Sequence, residues 1–125
     1  MNPRPSHKEL SKKLRQAIEL VTERRVSILE PNAILADSLE LGYSFKLDFY
    51  PIIEELLDLA TPADYVGARP PQQSYEAEIK GADLYAFVVE SSQLTGINVY
   101  FKFALYNDAL VIVSLHEDRK EGDHG

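Results

Sequence analysis

Two apolar runs near the C-terminus, Ile97 to Tyr106 and Ala109 to His116, constrain this chain more than any other feature. Both are rich in β-branched and aromatic residues, and the polar turn between them is too short for anything but an antiparallel hairpin. Two registers compete. A three-residue turn, Asn107 to Ala109, sets Leu105 opposite Val111, Phe103 opposite Val113 and Phe101 opposite Leu115, which makes one wholly apolar face. A two-residue Asn107-Asp108 turn sets Val99 opposite His116 and Phe101 opposite Ser114, mixing polar with apolar. The first register is therefore expected. It places Tyr100 opposite His116 and Lys102 opposite Ser114, on the face that need not be core.

A chain of 125 residues is expected to form one domain with a single hydrophobic core. It has no cysteine and three scattered histidines, so neither disulfides nor a thiolate or structural zinc site is expected and no metal is assigned. No stretch approaches the ~20 apolar residues of a membrane span, and the N-terminus lacks the apolar centre of a signal peptide. A reducing cytoplasm is the expected location.

The net charge of −7 is unevenly spread. Residues 1 to 25 hold seven Lys/Arg against three Glu, a balance of +4, and the remaining hundred carry −11. A chain with this balance has no general attraction for nucleic acid, so any RNA contact must be local. The basic segment reads most simply as a solvated helix face.

Ser6 followed by Glu9 forms a capping-box pattern, and Leu10, Leu14, Ile18 and Val21 recur at helical spacing, so a first helix is predicted from about His7 to Arg24. Arg25 to Leu29 reads as a short strand or extended connector before Pro31. Asn32 is expected to cap a second helix with Leu35, Leu39 and Leu41 apolar and Gly42 just past its end. A third helix, about Asp48 to Leu59, buries Phe49, Ile52, Ile53, Leu56 and Leu57 and shows Glu54, Glu55 and Asp58 to water. Thr61-Pro62-Ala63-Asp64 resembles a fresh helix start. From Tyr65 to Ala82 periodicity fails and a long loop is expected, with Tyr75 to Ile79 a brief strand. Leu84 to Val89 resumes strand character. The polar residues 119 to 125 read as a disordered tail, leaving residues 1 to 118 as the domain. Helices first and an antiparallel meander last give an α+β fold of two layers.

The order of elements and several local strings resemble the MqsR family of bacterial type II toxins, within the RelE-like mRNA interferases. Ala33-Ile34-Leu35-Ala36-Asp37-Ser38-Leu39-Glu40-Leu41-Gly42 is similar to the family's ALxDAxELG, and Leu59 to Tyr65 to its LTxADF. Val99-Tyr100-Phe101-Lys102 and Val113-Ser114-Leu115-His116 are similar to its VYxK and VSFK or VSFH strings. The likeness runs in order through residues 8 to 118. The resemblance implies a RelE-like two-layer fold and an endoribonuclease that cleaves mRNA, free or on the ribosome, without a cofactor, made beside an antitoxin that sequesters it. Where the family continues with Tyr-Lys-Ser, this chain has Val66-Gly67-Ala68, and Arg69 is the nearest cation that could substitute.

In such cleavage a ribose 2′-hydroxyl attacks the neighbouring phosphate, so a site must remove a proton, stabilise a dianionic phosphorane and protonate a leaving oxygen. An imidazole, with a reference pKa of about 6.5, suits His116 to acid or base work. Lys102 is suited to offset phosphate charge, and Tyr100 to donate to a phosphate oxygen or stack on a base. Arg69, Tyr65 and Lys80 are the further residues assigned to RNA. Each has a plainer reading: Tyr100 as a packing residue with its hydroxyl at the rim, Lys102 as an exposed strand residue, His116 as a surface histidine at a strand end. A catalytically reduced relative that keeps the fold as a protein-binding module is the alternative function.

Overall fold

The computed structural model describes residues 4–118, and the tail expected at 119 to 125 lies outside them. Helix α1 (His7–Thr22) starts at Ser6, whose hydroxyl accepts the Glu9 amide at 3.1 Å. Only half of the expected capping box forms, because the Glu9 carboxylate turns instead to Arg4 at 2.7 Å. The helix buries Leu10, Leu14, Ala17 and Val21 and stops two residues early, where Arg24 takes a positive φ of 60°.

Strand β1 (Val26–Ile28) follows, then α2 (Pro31–Leu41). Asn32 does not cap α2. Pro31, whose ring presets the helical φ and has no N–H to lose, takes the first position, and Glu30 becomes the flanking residue. Gly42 closes the helix with φ at 84°, as the sequence predicts. The buried stripe of α2 is Ile34, Ser38 and Leu41, leaving Leu35 and Leu39 exposed.

Helix α3 (Phe45–Leu59) begins three residues before the expected Asp48, because Ser44 accepts the Leu47 amide and caps a turn that contains Phe45. It carries Pro51 internally, which has no N–H to give the Leu47 carbonyl, and Leu47 lies on the exposed side. The expected apolar face, Phe49 to Leu57, is buried. Thr61 and Asp64 do start a helix, but it is a single 3₁₀ turn, Pro62–Asp64. The strand expected at Tyr75 to Ile79 is absent: Ala77–Ile79 form another 3₁₀ turn, and pairing in this loop is limited to bridges between Tyr65 and Phe87 and between Gln73 and Asp83.

Strands β2 (Tyr85–Ser91), β3 (Ile97–Tyr106) and β4 (Ala109–Glu117) form the antiparallel meander. With β1 parallel to β4, the sheet is mixed and its order is β1-β4-β3-β2. One face meets the helices. Tyr85, Phe87 and Val89, Val99, Phe101 and Phe103, and Leu110, Ile112 and Leu115 pack there with the buried sides of α1, α2 and α3. Phe87 is fully buried between Phe101 and Phe103, with ring centroids 5.7 and 6.0 Å away and planes 24° and 9° from its own. Truncating such a residue to alanine costs about 3–5 kcal/mol.

The hairpin register is half as expected. The turn has two residues, Asn107 and Asp108, both at positive φ (50° and 61°), with Tyr106 paired to Ala109. This is the backbone twist that a tight hairpin prefers, and Asn and Asp tolerate it. Leu105 therefore faces Leu110 and Phe103 faces Ile112, not Val111 and Val113. The register then shifts at Lys102/Phe103, where Val113 is the extra residue of a β-bulge. Beyond it Lys102 faces Ser114, Phe101 faces Leu115 and Tyr100 faces His116, as the sequence predicts. Ile112 and Leu115 are both buried in the core, and their odd spacing cannot put both on one face of a regular strand. The bulge reconciles them.

Candidate active site

Among the described residues the outer face of the sheet, away from the helices, is covered at one end only. Ile79, carried by the 3₁₀ turn Ala77–Ile79, packs with Ala104 and Val111 into a second small cluster. The other end of that face is open. There β3 and β4 present Tyr100, Lys102, Ser114 and His116, all half-buried. The bulge sets Val113 and Ser114 both on this face, so Lys102 has a hydroxyl neighbour where strict alternation from Val111 would supply none.

Tyr100 and His116 are stacked, with ring centroids 5.0 Å apart and planes at 15°. The Nδ1 of His116 lies 2.8 Å from the Glu117 carbonyl oxygen. A carbonyl only accepts, so Nδ1 carries the hydrogen and a neutral imidazole presents Nε2 as an acceptor, which makes no hydrogen bond among the described residues. Burial, reinforced by Asp118, raises the pKa of the Tyr100 phenol, so this hydroxyl stays a donor. Among the described residues Lys102 makes no ion pair.

Lys102 and Ser114 continue into a groove of about 290 Å³, walled by Gln72 to Glu76 on one side and by Leu29 and Glu30 on the other. Gln72, Gln73 and Tyr75 were not marked by the sequence, because they sit in the stretch where periodicity fails. An aromatic in an otherwise polar loop was the available signal. The groove is acidic as well as basic: Glu30 and Glu76 line it along with Lys102.

The remaining residues assigned to RNA lie elsewhere. Tyr65 is buried in the core cluster against Phe87, with ring centroids 5.5 Å apart, and its hydroxyl donates to the Ala68 carbonyl at 2.6 Å. Arg69 lies over the Tyr65 ring, 4.9 Å from its centroid, and donates to the Pro5 carbonyl at 2.9 Å. Both therefore sit beside the N-terminal segment rather than on the outer face. Lys80 is exposed after the Ala77–Ile79 turn and does not line the groove. Gly67 is pinned by the same arrangement, since a Cβ there would lie 2.6 Å from the Tyr65 hydroxyl and 2.7 Å from its ring.

Among the described residues no group of three His, Cys, Asp or Glu is placed to hold a metal ion, and no helix is long and apolar enough to cross a membrane. Comparison of the chain with protein-family models, curated proteins and solved structures gives no match.

Proposed function

We propose that this chain is an endoribonuclease toxin similar to the MqsR and RelE-like mRNA interferases, and that the open sheet face is its active site. One observation carries the reading: Tyr100, Lys102 and His116 share one patch of the outer face, with the imidazole held by its Nδ1 and its Nε2 making no hydrogen bond among the described residues. In the reaction Nε2 of His116 takes the proton of a ribose 2′-hydroxyl. The 2′-oxygen then bonds to the adjacent phosphorus as the bond from phosphorus to the 5′-oxygen breaks. Lys102 offsets the charge that builds on the phosphorane, and the Tyr100 hydroxyl donates to a phosphoryl oxygen. The 5′-oxygen leaves with a proton from water, which reaches this open face. His116, Lys102, Tyr100 and water fill the roles, so the proposed reaction needs no cofactor. The proposed setting is the cytoplasm, with mRNA as substrate and a neighbouring-gene antitoxin as partner.

The test is RNA cleavage by purified wild type, His116→Ala and Lys102→Ala. Each substitution is expected to lower the rate by the ~10²–10⁴-fold typical of groups acting on protons or charge in the transition state. Both side chains face solvent, so the fold should persist. Folded variants that cut as fast as wild type would remove the assignment.

A second reading, a protein-binding module that has lost the chemistry, is favoured by the arrangement at residues 65–69. Gly67 stands where the resembling family has a lysine, with the Tyr65 ring against it, and Arg69 is committed to Pro5. A wild-type protein that is folded, free of partner and inactive on RNA alone and in a translating extract would decide for this reading.

A further inference from the structure

We propose that Tyr75 is a stacking platform for a nucleobase, which the groove holds beside the phosphate engaged at Lys102. This rests on the reading of the outer face as a ribonuclease site and adds the subsite that grips the substrate.

Tyr75 is 87% exposed, more than any other large apolar side chain of the described residues, yet its backbone is firmly held. The preceding Ser74 is buried. Its N–H donates to the Ala82 carbonyl and its carbonyl accepts from the Gly81 amide, both at 2.9 Å. Its hydroxyl accepts the Glu76 amide at 3.1 Å, so the chain is tied on both sides of Tyr75. An exposed ring carried on a held stretch of backbone offers its π-face to an unstacked base, as single-stranded RNA recognition requires.

Charge within the groove sets the orientation of a bound nucleotide. Among the described residues Lys102 is the one Lys or Arg lining it, with the Ser114 hydroxyl beside it, whereas Glu30 and Glu76 line it together with Tyr75. An anionic phosphate belongs at the Lys102 end. A neutral base can lie among the carboxylates, which accept hydrogen bonds from its amino groups, and the Gln72 and Gln73 amides supply both donors and acceptors for a base edge. The volume, about 290 Å³, is at the small end of the range of about 300–1,000 Å³ for small-ligand sites, as suits one nucleotide unit.

The test is titration of wild type, Tyr75→Phe and Tyr75→Ala with a short 2′-O-methyl oligonucleotide of mixed sequence, which lacks the attacking hydroxyl and so reports binding alone. Wild type and Tyr75→Phe should bind alike, and Tyr75→Ala should bind roughly 5- to 150-fold more weakly, the range found when a base loses its aromatic partner. Equal affinity of Tyr75→Ala and wild type, equal losses in both variants, or no binding by folded wild type would overturn the subsite. Cleavage of ordinary RNA by wild type is read separately. Tyr75-dependent binding without cleavage upholds the subsite and removes the nuclease, while cleavage with Tyr75-independent binding does the reverse.

Discussion

Tyr100 and His116 stand directly opposite one another across β3 and β4, with ring centroids 5.0 Å apart and planes 15° from parallel. This stack orients the imidazole from one side while the Glu117 carbonyl fixes its Nδ1. The phenol hydroxyl and the stacking ring are thus separable contributions of one residue. Tyr100→Phe should keep the stack and the fold but lose the donor to phosphate, lowering cleavage by roughly 10- to 100-fold, the equivalent of one hydrogen bond to a charged group. Tyr100→Ala should lose more, because the ring that orients His116 goes too. Equal rates for Tyr100→Phe and wild type would confine Tyr100 to packing.

Gly67 makes a prediction about stability alone. Its Cβ position is 2.6 Å from the Tyr65 hydroxyl, and the ring cannot retreat without loosening its contact with Phe87 and its hydrogen bond to Ala68. Gly67→Ala should cost about 1–3 kcal/mol, the usual penalty for overpacking. Denaturant unfolding measures it. A neutral result would show that Tyr65 gives way freely.

Much of the fold was legible because burial has a period. The three helices, the β3–β4 pair and the open trio follow from apolar spacing. The turn is not legible this way, because an all-apolar face from Leu105 to Leu115 requires one unbroken register. The structure instead uses Asn107 and Asp108 at positive φ and inserts Val113 as a bulge, leaving Val111 to pack under Ile79 on the other face. An outer face partly covered by the 72–84 loop leaves no periodic trace, so the groove wall from Gln72 to Glu76 was not readable. The Asn32 side chain suits a cap, but the rigid φ of Pro31 begins the helix one residue earlier.

Glu55 ties α3 to the β2–β3 connection. Its carboxylate accepts from the hydroxyls of Ser91 and Ser92 and from the Gln93 amide. Burial pushes its pKa up, but these hydrogen bonds outweigh burial and hold it below its usual 4.5. A carboxyl lowered in the folded state contributes stability that is fully present above its unfolded pKa and is lost as pH falls through the folded value. Wild type should therefore lose stability below pH 4.5 more steeply than Glu55→Gln. At neutral pH the variant should be less stable by about 1–3 kcal/mol, since Ser91 is buried and loses its charged acceptor. Parallel stability curves against pH would contradict this.

Lys8, Lys12 and Arg15 line the exposed side of α1, and with Lys13 they make no ion pair among the described residues. On a chain that is otherwise acidic, this stripe is the natural contact for an acidic segment of the proposed antitoxin. Reversing Lys12, Lys13 and Arg15 to Glu should weaken the complex with the neighbouring gene's product and flatten its salt dependence. An unchanged titration would place the partner elsewhere.

The most direct measurement is the chemistry of the ends left when purified wild-type protein, freed of any partner, meets single-stranded RNA. Attack by the 2′-hydroxyl leaves a 2′,3′-cyclic phosphate on one fragment and a 5′-hydroxyl on the other, and with side chains and water in every role the cutting should continue in EDTA. His116→Ala should slow the appearance of both ends together. Fragments bearing 5′-phosphate and 3′-hydroxyl ends, or RNA left intact both alone and in a translating extract by a folded protein, would contradict the assignment of Tyr100, Lys102 and His116 as a nuclease site.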